Sequence, residues 1–177
     1  MIDISIRQEG ESDFKEVENL VFKSFENSEH TDGNEHNLVK KLRKSDNFIK
    51  ELSLVALKDN KIIGHIMSTR LDIKSNDKTY ISLALAPISV HPEFQKMGVG
   101  GKLIKETLKI AKDLGYESIF LLGSDLYYPK FGFKKSIEFG INPPFDFPSN
   151  NFMAIELTNN TLKDVDGSFI YAKEFFE

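Results

Sequence analysis

Gln95-Lys-Met-Gly-Val-Gly-Gly-Lys102 lies between two segments of different hydrophobic period. An alternating apolar run, Ile81 to Val90, precedes it, and an amphipathic pattern at helical spacing, Val99 to Leu114, follows it. The stretch is therefore a strand-to-helix turn. Its glycines allow positive φ and let the backbone approach a ligand closely. The first N–H groups of the helix have no partners inside it, and the helix dipole adds partial positive charge at that end. Together they make an anion site suited to a phosphate or diphosphate.

Three phosphate loops compete for this pattern. A P-loop needs G-x-x-x-x-G-K-[ST]. Gly101-Lys102 supplies the G-K, but Leu103 stands where the hydroxyl belongs and Lys96 where the first glycine belongs. A dinucleotide fingerprint needs G-x-G-x-x-G. Gly98 and Gly100 begin it, and Leu103 again breaks it. Gln95, Gly98 and Gly100 instead fit [Q/R]-x-x-G-x-[G/A] at every position. On those residues the loop resembles the acetyl-coenzyme A loop of the GCN5-related N-acetyltransferase (GNAT) family. The approach, Leu85-Ala-Pro-Ile-Ser-Val-His-Pro-Glu-Phe-Gln95, is similar to that family's fourth strand and its exit.

A second resemblance lies some 30 residues on. After Gly123 comes Ser-Asp-Leu-Tyr-Tyr-Pro-Lys-Phe-Gly-Phe133. The same family places a short helix after its fifth strand, ending in Tyr-x-x-x-Gly-Phe, which Tyr128, Gly132 and Phe133 match. Two matches in the right order are more specific than either alone. They cover Leu83 to Phe133; the N-terminal half agrees only in its order of elements.

The whole chain fits this picture. Its 177 residues suit one domain spanning 1–177. Composition is ordinary globular, 40% hydrophobic and 28% charged. A net charge of −4 argues against a nucleic-acid partner. No stretch approaches the ~20 apolar residues of a membrane span, and the N-terminus lacks the segments of a signal peptide. The expectation is a cytoplasmic protein, monomer or homodimer, with no membrane partner. There is no cysteine, so no disulfide, thiolate metal site or cysteinyl acyl-enzyme is possible.

Ile2, Ile4 and Ile6 alternate with polar residues, which predicts a first strand. Asp13 offers an N-cap with Glu16 three residues on, and Phe14, Val17, Leu20, Val21 and Phe25 share one helical face. Glu26 to His36 is an acidic loop; Glu35 to Lys44 is a shorter helix. Leu52 to Leu57 and Ile62 to Ile73 form a hairpin about Asp59-Asn60-Lys61. Gly64 within it marks a bulge or a close backbone approach. Pro87 inside the next strand cannot donate to the ladder and belongs at an edge or bulge. The helix after the loop buries Leu103, Ile104, Leu108, Ile110, Ala111 and Leu114, and Gly115 sits at its C′ position. Ser118 to Leu122 reads as a buried parallel strand. Phe133 to Phe139, Phe152 to Leu157 and Phe169 to Phe175 read as further strands, the last two as a hairpin. The resemblance implies an α+β fold: a mixed, mostly antiparallel sheet of about six to eight strands, helices on both faces, splayed between the fourth and fifth strands.

The same resemblance implies acetyl-CoA as acyl donor, no metal, and a primary amine as acceptor. The gap at Pro87 frees backbone groups of Ile88, Ser89 and Val90 for the pantetheine arm. Gln95, Lys96, Met97, Gly98, Val99, Gly100, Gly101 and Lys102 would hold the diphosphate, with Lys102 reaching a phosphate or lying in solvent. Ser124, Tyr128 and Phe131 would complete the site after the fifth strand. Tyr128 is the expected general acid at the thioester sulfur, since a phenol stays protonated at neutral pH. Tyr127 should face into packing. The Val90 N–H is the expected oxyanion donor. Ser89 and Ser124 show no Ser-His-Asp grouping. No histidine among His30, His36, His65 and His91 is singled out as a base. The acidic loop (Glu26, Glu29, Asp32, Glu35) either attracts a cationic amine by its field or is a solvated face. Two other functions stay open: transfer from a different acyl donor, and a coenzyme A-binding sensor without turnover.

Overall fold

A computed structural model describes residues 3–29 and 31–177; Ile2 of the expected first strand and His30 lie outside them. Lys58 and Lys61 pair across a two-residue turn in which Asp59 and Asn60 take φ of 49° and 61°. Such mirror-image turns match the twist of antiparallel strands. The turn joins β2 (Phe48–Lys58) to β3 (Lys61–Lys74). β1 (Ser5–Gln8) pairs with β2, and β4 (Thr79–Val90) pairs with β3, all antiparallel. β5 (Ser118–Leu122) is parallel to β4, and β7 (Phe152–Glu156) and β6 (Lys134–Lys135) complete that side. β8 (Ser168–Ile170) lies on the end of β3. The result is one eight-stranded, mostly antiparallel sheet in the order β1-β2-β3-β4-β5-β7-β6, with β8 on β3.

Helices cover both faces. α1 (Phe14–Phe25) and α2 (Glu35–Leu42) bury Val17, Leu20, Val21, Val39 and Leu42 against Val55 and Met67. α3 (Val99–Asp113) buries Val99, Leu103, Ile104 and Ala111 on the opposite face, against Leu54, Ile66 and Leu83. Gly64 is the point of closest approach. A Cβ there would stand 2.9 Å from Val99 and 3.0 Å from Leu103, and the β2–β3 register slips beside it, between Ala56 and Leu57. Both expectations for Gly64, bulge and close approach, hold.

Several local expectations are corrected. Asp13 does not cap α1. A 3-10 turn, Glu11–Asp13, precedes the helix, so Asp13 already has helical angles. Its carboxylate instead accepts from the Gly10 N–H at 2.8 Å and pairs with Arg7 at 2.6 Å. Leu114 lies beyond the end of α3 and is 45% exposed. Of the strand expected at 133–139, only Lys134–Lys135 pairs; Ser136–Phe139 closes as a 3-10 turn, with Glu138 accepting from the Lys135 N–H. The last strand is Ser168–Ile170 alone. It pairs with β3 rather than β7, because β7 is already flanked by β5 and β6. The short helix after β5 is a 3-10 turn, Tyr128–Phe131.

Candidate active site

β4 carries an extra residue. Ile66 faces Ile88 and Ser68 faces Leu85, so Met67 alone opposes Ala86 and Pro87. The proline thus sits in a bulge, where a missing donor is tolerated. Beyond the bulge the His91 N–H donates to the Ile63 carbonyl at 2.9 Å. Bonded and non-bonded pairs alternate in an antiparallel ladder. Ser89 and His65 are therefore a bonded pair, and Ile88 and Val90 turn their N–H and C=O groups away from β3. On that other side β5 has departed: parallel pairing is confined to Leu83–Ile119 and Ala84–Phe120. The two strands diverge, and the Ile88 and Val90 amides face the opening. Gln95 braces this exit, donating from Nε2 to the Val90 carbonyl at 3.2 Å.

The turn that follows leads into α3. Lys96 and Gly98 both have positive φ, 62° and 85°. The Lys102 N–H makes the first intrahelical bond, to the Gly98 carbonyl at 3.1 Å. The N–H groups of Val99, Gly100 and Gly101 thus precede any intrahelical partner. Gly100 and Gly101 also clear space. A Cβ on Gly100 would lie 3.0 Å from the Tyr127 hydroxyl, and one on Gly101 3.4 Å from the Phe131 ring.

A cavity of about 710 Å³ lies over this turn. It brings together Ile88 and Val90 from β4, Gln95, Lys96, Gly98, Val99, Gly100, Gly101 and Lys102 from the turn, and Phe131 from beyond β5. Lys102 thus lies on the cavity rather than away from it. Four further lining residues were not foreseen: Phe94, Lys105, Tyr127 and Lys130. Lys105 had a signal, standing one helical turn beyond Lys102. Among the described residues no carboxylate lines the cavity, although the chain as a whole carries a net charge of −4. Such a lining suits an anion.

Four expected residues stand outside the lining. Met97 is half exposed. The Ser89 side chain is buried on the opposite face of β4 from Ile88 and Val90. The Ser124 hydroxyl accepts from the Leu126 N–H, and its carbonyl accepts from the N–H groups of Tyr127 and Tyr128. Tyr128 is only 8% exposed, edge-on to Phe133 in the core at 5.8 Å. Its ring lies over Gly123, at the end of β5, so closely that a Cβ on Gly123 would stand 2.3 Å away. Burial, with Tyr127 alongside, pushes the Tyr128 phenol up to about 12. The Tyr127 ring packs against the core as expected, and its hydroxyl end in addition reaches the cavity.

A buried charged cluster lies under α1 and α2. Glu9 accepts from Arg43 at 2.5 Å and from the Ser53 hydroxyl at 2.7 Å, and Arg43 also pairs with Glu18 at 2.7 Å. His65 Nε2 lies 3.2 Å from the Ser53 oxygen and 3.7 Å from Glu9. The Ser53 proton goes to the carboxylate, so Ser53 accepts from His65 Nε2–H. Burial alone would raise the Glu9 carboxyl, but His65, Arg43 and Ser53 outweigh it and hold it down to about 2.

Residues 14–133 match the model of the Acetyltransferase (GNAT) family. The chain is 34% identical over 141 residues to the uncharacterized N-acetyltransferase YjhQ of Escherichia coli (strain K12), covering 79% of this chain and 74% of that protein. A GNAT family acetyltransferase from Brucella melitensis, solved in complex with acetyl-CoA, superimposes with a TM-score of 0.80 at 28% identity, covering 99% of each chain. The GNAT family N-acetyltransferase YhbS of Escherichia coli, solved in complex with CoA, superimposes with a TM-score of 0.88 at 24% identity, covering 100% of this chain and 94% of the other.

Proposed function

The chain belongs to the GNAT acetyltransferase family, and on that premise we propose that it transfers an acetyl group from acetyl-CoA to a primary amine, on a small molecule or a protein, by direct attack within a ternary complex. The observation that carries this reading is the opening between β4 and β5, with the Ile88 and Val90 amides turned into it and the glycine turn at its end. A thioester carrier has a slender arm that can take the place of a missing strand, and a diphosphate that suits the free N–H groups of Val99, Gly100 and Gly101. The Brucella relative, solved with acetyl-CoA, supports the choice of ligand.

Bound acetyl-CoA supplies an acyl group activated as a thioester. The protein's own groups do the rest. Lys96 and Lys102 add charge beside the turn. The Val90 N–H, turned away from β3 into the opening while its neighbours Ser89 and His91 are paired with β3, donates to the acyl oxygen as negative charge develops there, with no reorganisation. As the C–N bond forms and the C–S bond breaks, Tyr128 donates its proton to the departing sulfur, and the proton lost by the attacking nitrogen restores the phenol through solvent. Burial keeps that phenol protonated at neutral pH, and Gly123 gives it room at the end of β5. The absence of cysteine fits direct attack by the amine.

Calorimetric titration with acetyl-CoA, beside a thiol-release assay over a panel of amines, tests this function. Tyr128→Phe should bind acetyl-CoA normally and lose about 10²–10⁴-fold in turnover, as for a lost general acid. An undiminished rate would refute the role of Tyr128. Tight binding without turnover on any amine would favour a sensor.

A further inference from the structure

The glycine turn supplies only one wall of the cavity; the segment after β5 supplies another and abuts the turn at Gly100 and Gly101. A Cβ placed on Gly100 would lie 3.0 Å from the Tyr127 hydroxyl and 3.8 Å from both Ile88 Cδ1 and Val90 Cγ2. The hydroxyl, the inner side of β4 and the first turn of α3 therefore converge on one spot. The Tyr127 hydroxyl has no hydrogen-bond partner among the described residues, and burial raises its pKa, so it remains a proton donor. Lys130 stands over the Tyr127 ring, its Nζ 3.9 Å from the centroid. That contact holds the ammonium at the cavity that Lys96, Lys102 and Lys105 also line. Four lysines around one cavity repel one another, and a ligand carrying several phosphate charges relieves that repulsion.

We propose that Tyr127 and Lys130 are a second set of anion donors, gripping the phosphorylated end of the ligand from beside the glycine turn. The inference rests on coenzyme A being that ligand. It divides the labour between adjacent tyrosines: Tyr128 serves the sulfur, and Tyr127 serves the phosphates. Tyr127→Phe keeps the ring that packs edge-on to Tyr128 at 5.1 Å and Phe131 at 5.3 Å, so it removes the hydroxyl alone. Lys130→Gln removes the charge.

The test is calorimetric binding of coenzyme A and of pantetheine, which has no phosphate, to the wild type and both variants, with melting temperatures to check folding. Tyr127→Phe should weaken coenzyme A about tenfold, the lower end for a hydrogen bond to a charged group. Pantetheine binding should stay at the wild-type value in both variants. Lys130→Gln should flatten the dependence of coenzyme A affinity on salt, because one fewer charge is screened. Equal affinities of wild type and Tyr127→Phe for coenzyme A would overturn the inference and leave the ligand intact. So would an equal loss for pantetheine, which would mark Tyr127 as a packing residue. Failure of the wild type itself to bind coenzyme A would overturn the ligand assignment, and the inference with it.

Discussion

Gly64→Ala probes the contact on which the active-site turn is mounted. The new Cβ would sit 2.9 Å from Val99 Cγ1 and 3.0 Å from Leu103 Cδ1. Both contacts fall several tenths of an ångström inside the ~3.5–4 Å optimum between carbon atoms. Both neighbours are fully buried, so neither side chain can swing clear, and α3 has to lift. Overpacking of this kind costs about 1–3 kcal/mol. In a chain of this size each kcal/mol moves Tm by about 2–4 °C, so the loss is about 2–12 °C. Val99→Ala alone loses buried methyl groups and costs about 1–2 kcal/mol. The double variant, however, removes one of the two clashes. Its destabilisation should be smaller than the sum of the singles by about 1 kcal/mol, measured by urea denaturation as a double-mutant cycle. Coenzyme A affinity should fall in Gly64→Ala as well, because Val99 is the first residue of the helix whose N–H groups face the cavity. Strict additivity of the two substitutions would refute the reasoning.

Two further outcomes follow from the same geometry. Gly98 has φ of 85° with nothing within 4 Å of an added Cβ, so Gly98→Ala meets no clash and only backbone strain, about 1–2 kcal/mol; calorimetry should show weaker coenzyme A binding, whereas Gly33→Ala, equally strained at φ 74° but remote from the cavity, should lower Tm and leave affinity unchanged. Glu9, held near 2 in the fold against 4.5 ordinarily, is a depressed carboxyl: the stability it contributes is complete above about pH 4.5 and is lost as pH falls toward 2, about 3 kcal/mol in all. Acid unfolding monitored by circular dichroism should lose that slope in Glu9→Gln; an identical pH profile would contradict it.

Much of the fold was legible because the chain marks its own boundaries. Asp59-Asn60 allowed one kind of tight hairpin, and Gly115 ended α3 as a C′ glycine at φ 88°. Pro87 announced a break in β4 before any partner strand was known. What stayed illegible depended on distant partners. Phe169–Phe175 has strand composition, but its length and its neighbour were decided by the free end of β3, about 100 residues earlier in the chain. The Asp13 carboxylate was claimed by Arg7 and Gly10 once a 3-10 turn displaced the helix start. The cluster of Glu9, Ser53, His65 and Arg43 spans four elements and has no local signature.

The site divides along the same line, and the division explains the two tyrosines. The anion turn was readable because its donors are main-chain amides, and glycine spacing encodes main-chain shape directly. Which adjacent tyrosine reaches the cavity depends instead on where two rings find room. Gly123, a side-chain clash of 2.3 Å avoided, receives Tyr128; Gly100, a contact of 3.0 Å avoided, receives the hydroxyl of Tyr127. Each ring is matched to a glycine far from it in sequence or on another element. The inner side of β4 between Leu83 and Val90 presents apolar side chains, so the polarity of the opening comes from amides released by the bulge and by the departure of β5. A reading that looks for catalytic side chains finds few there, because backbone geometry supplies the donors on that strand.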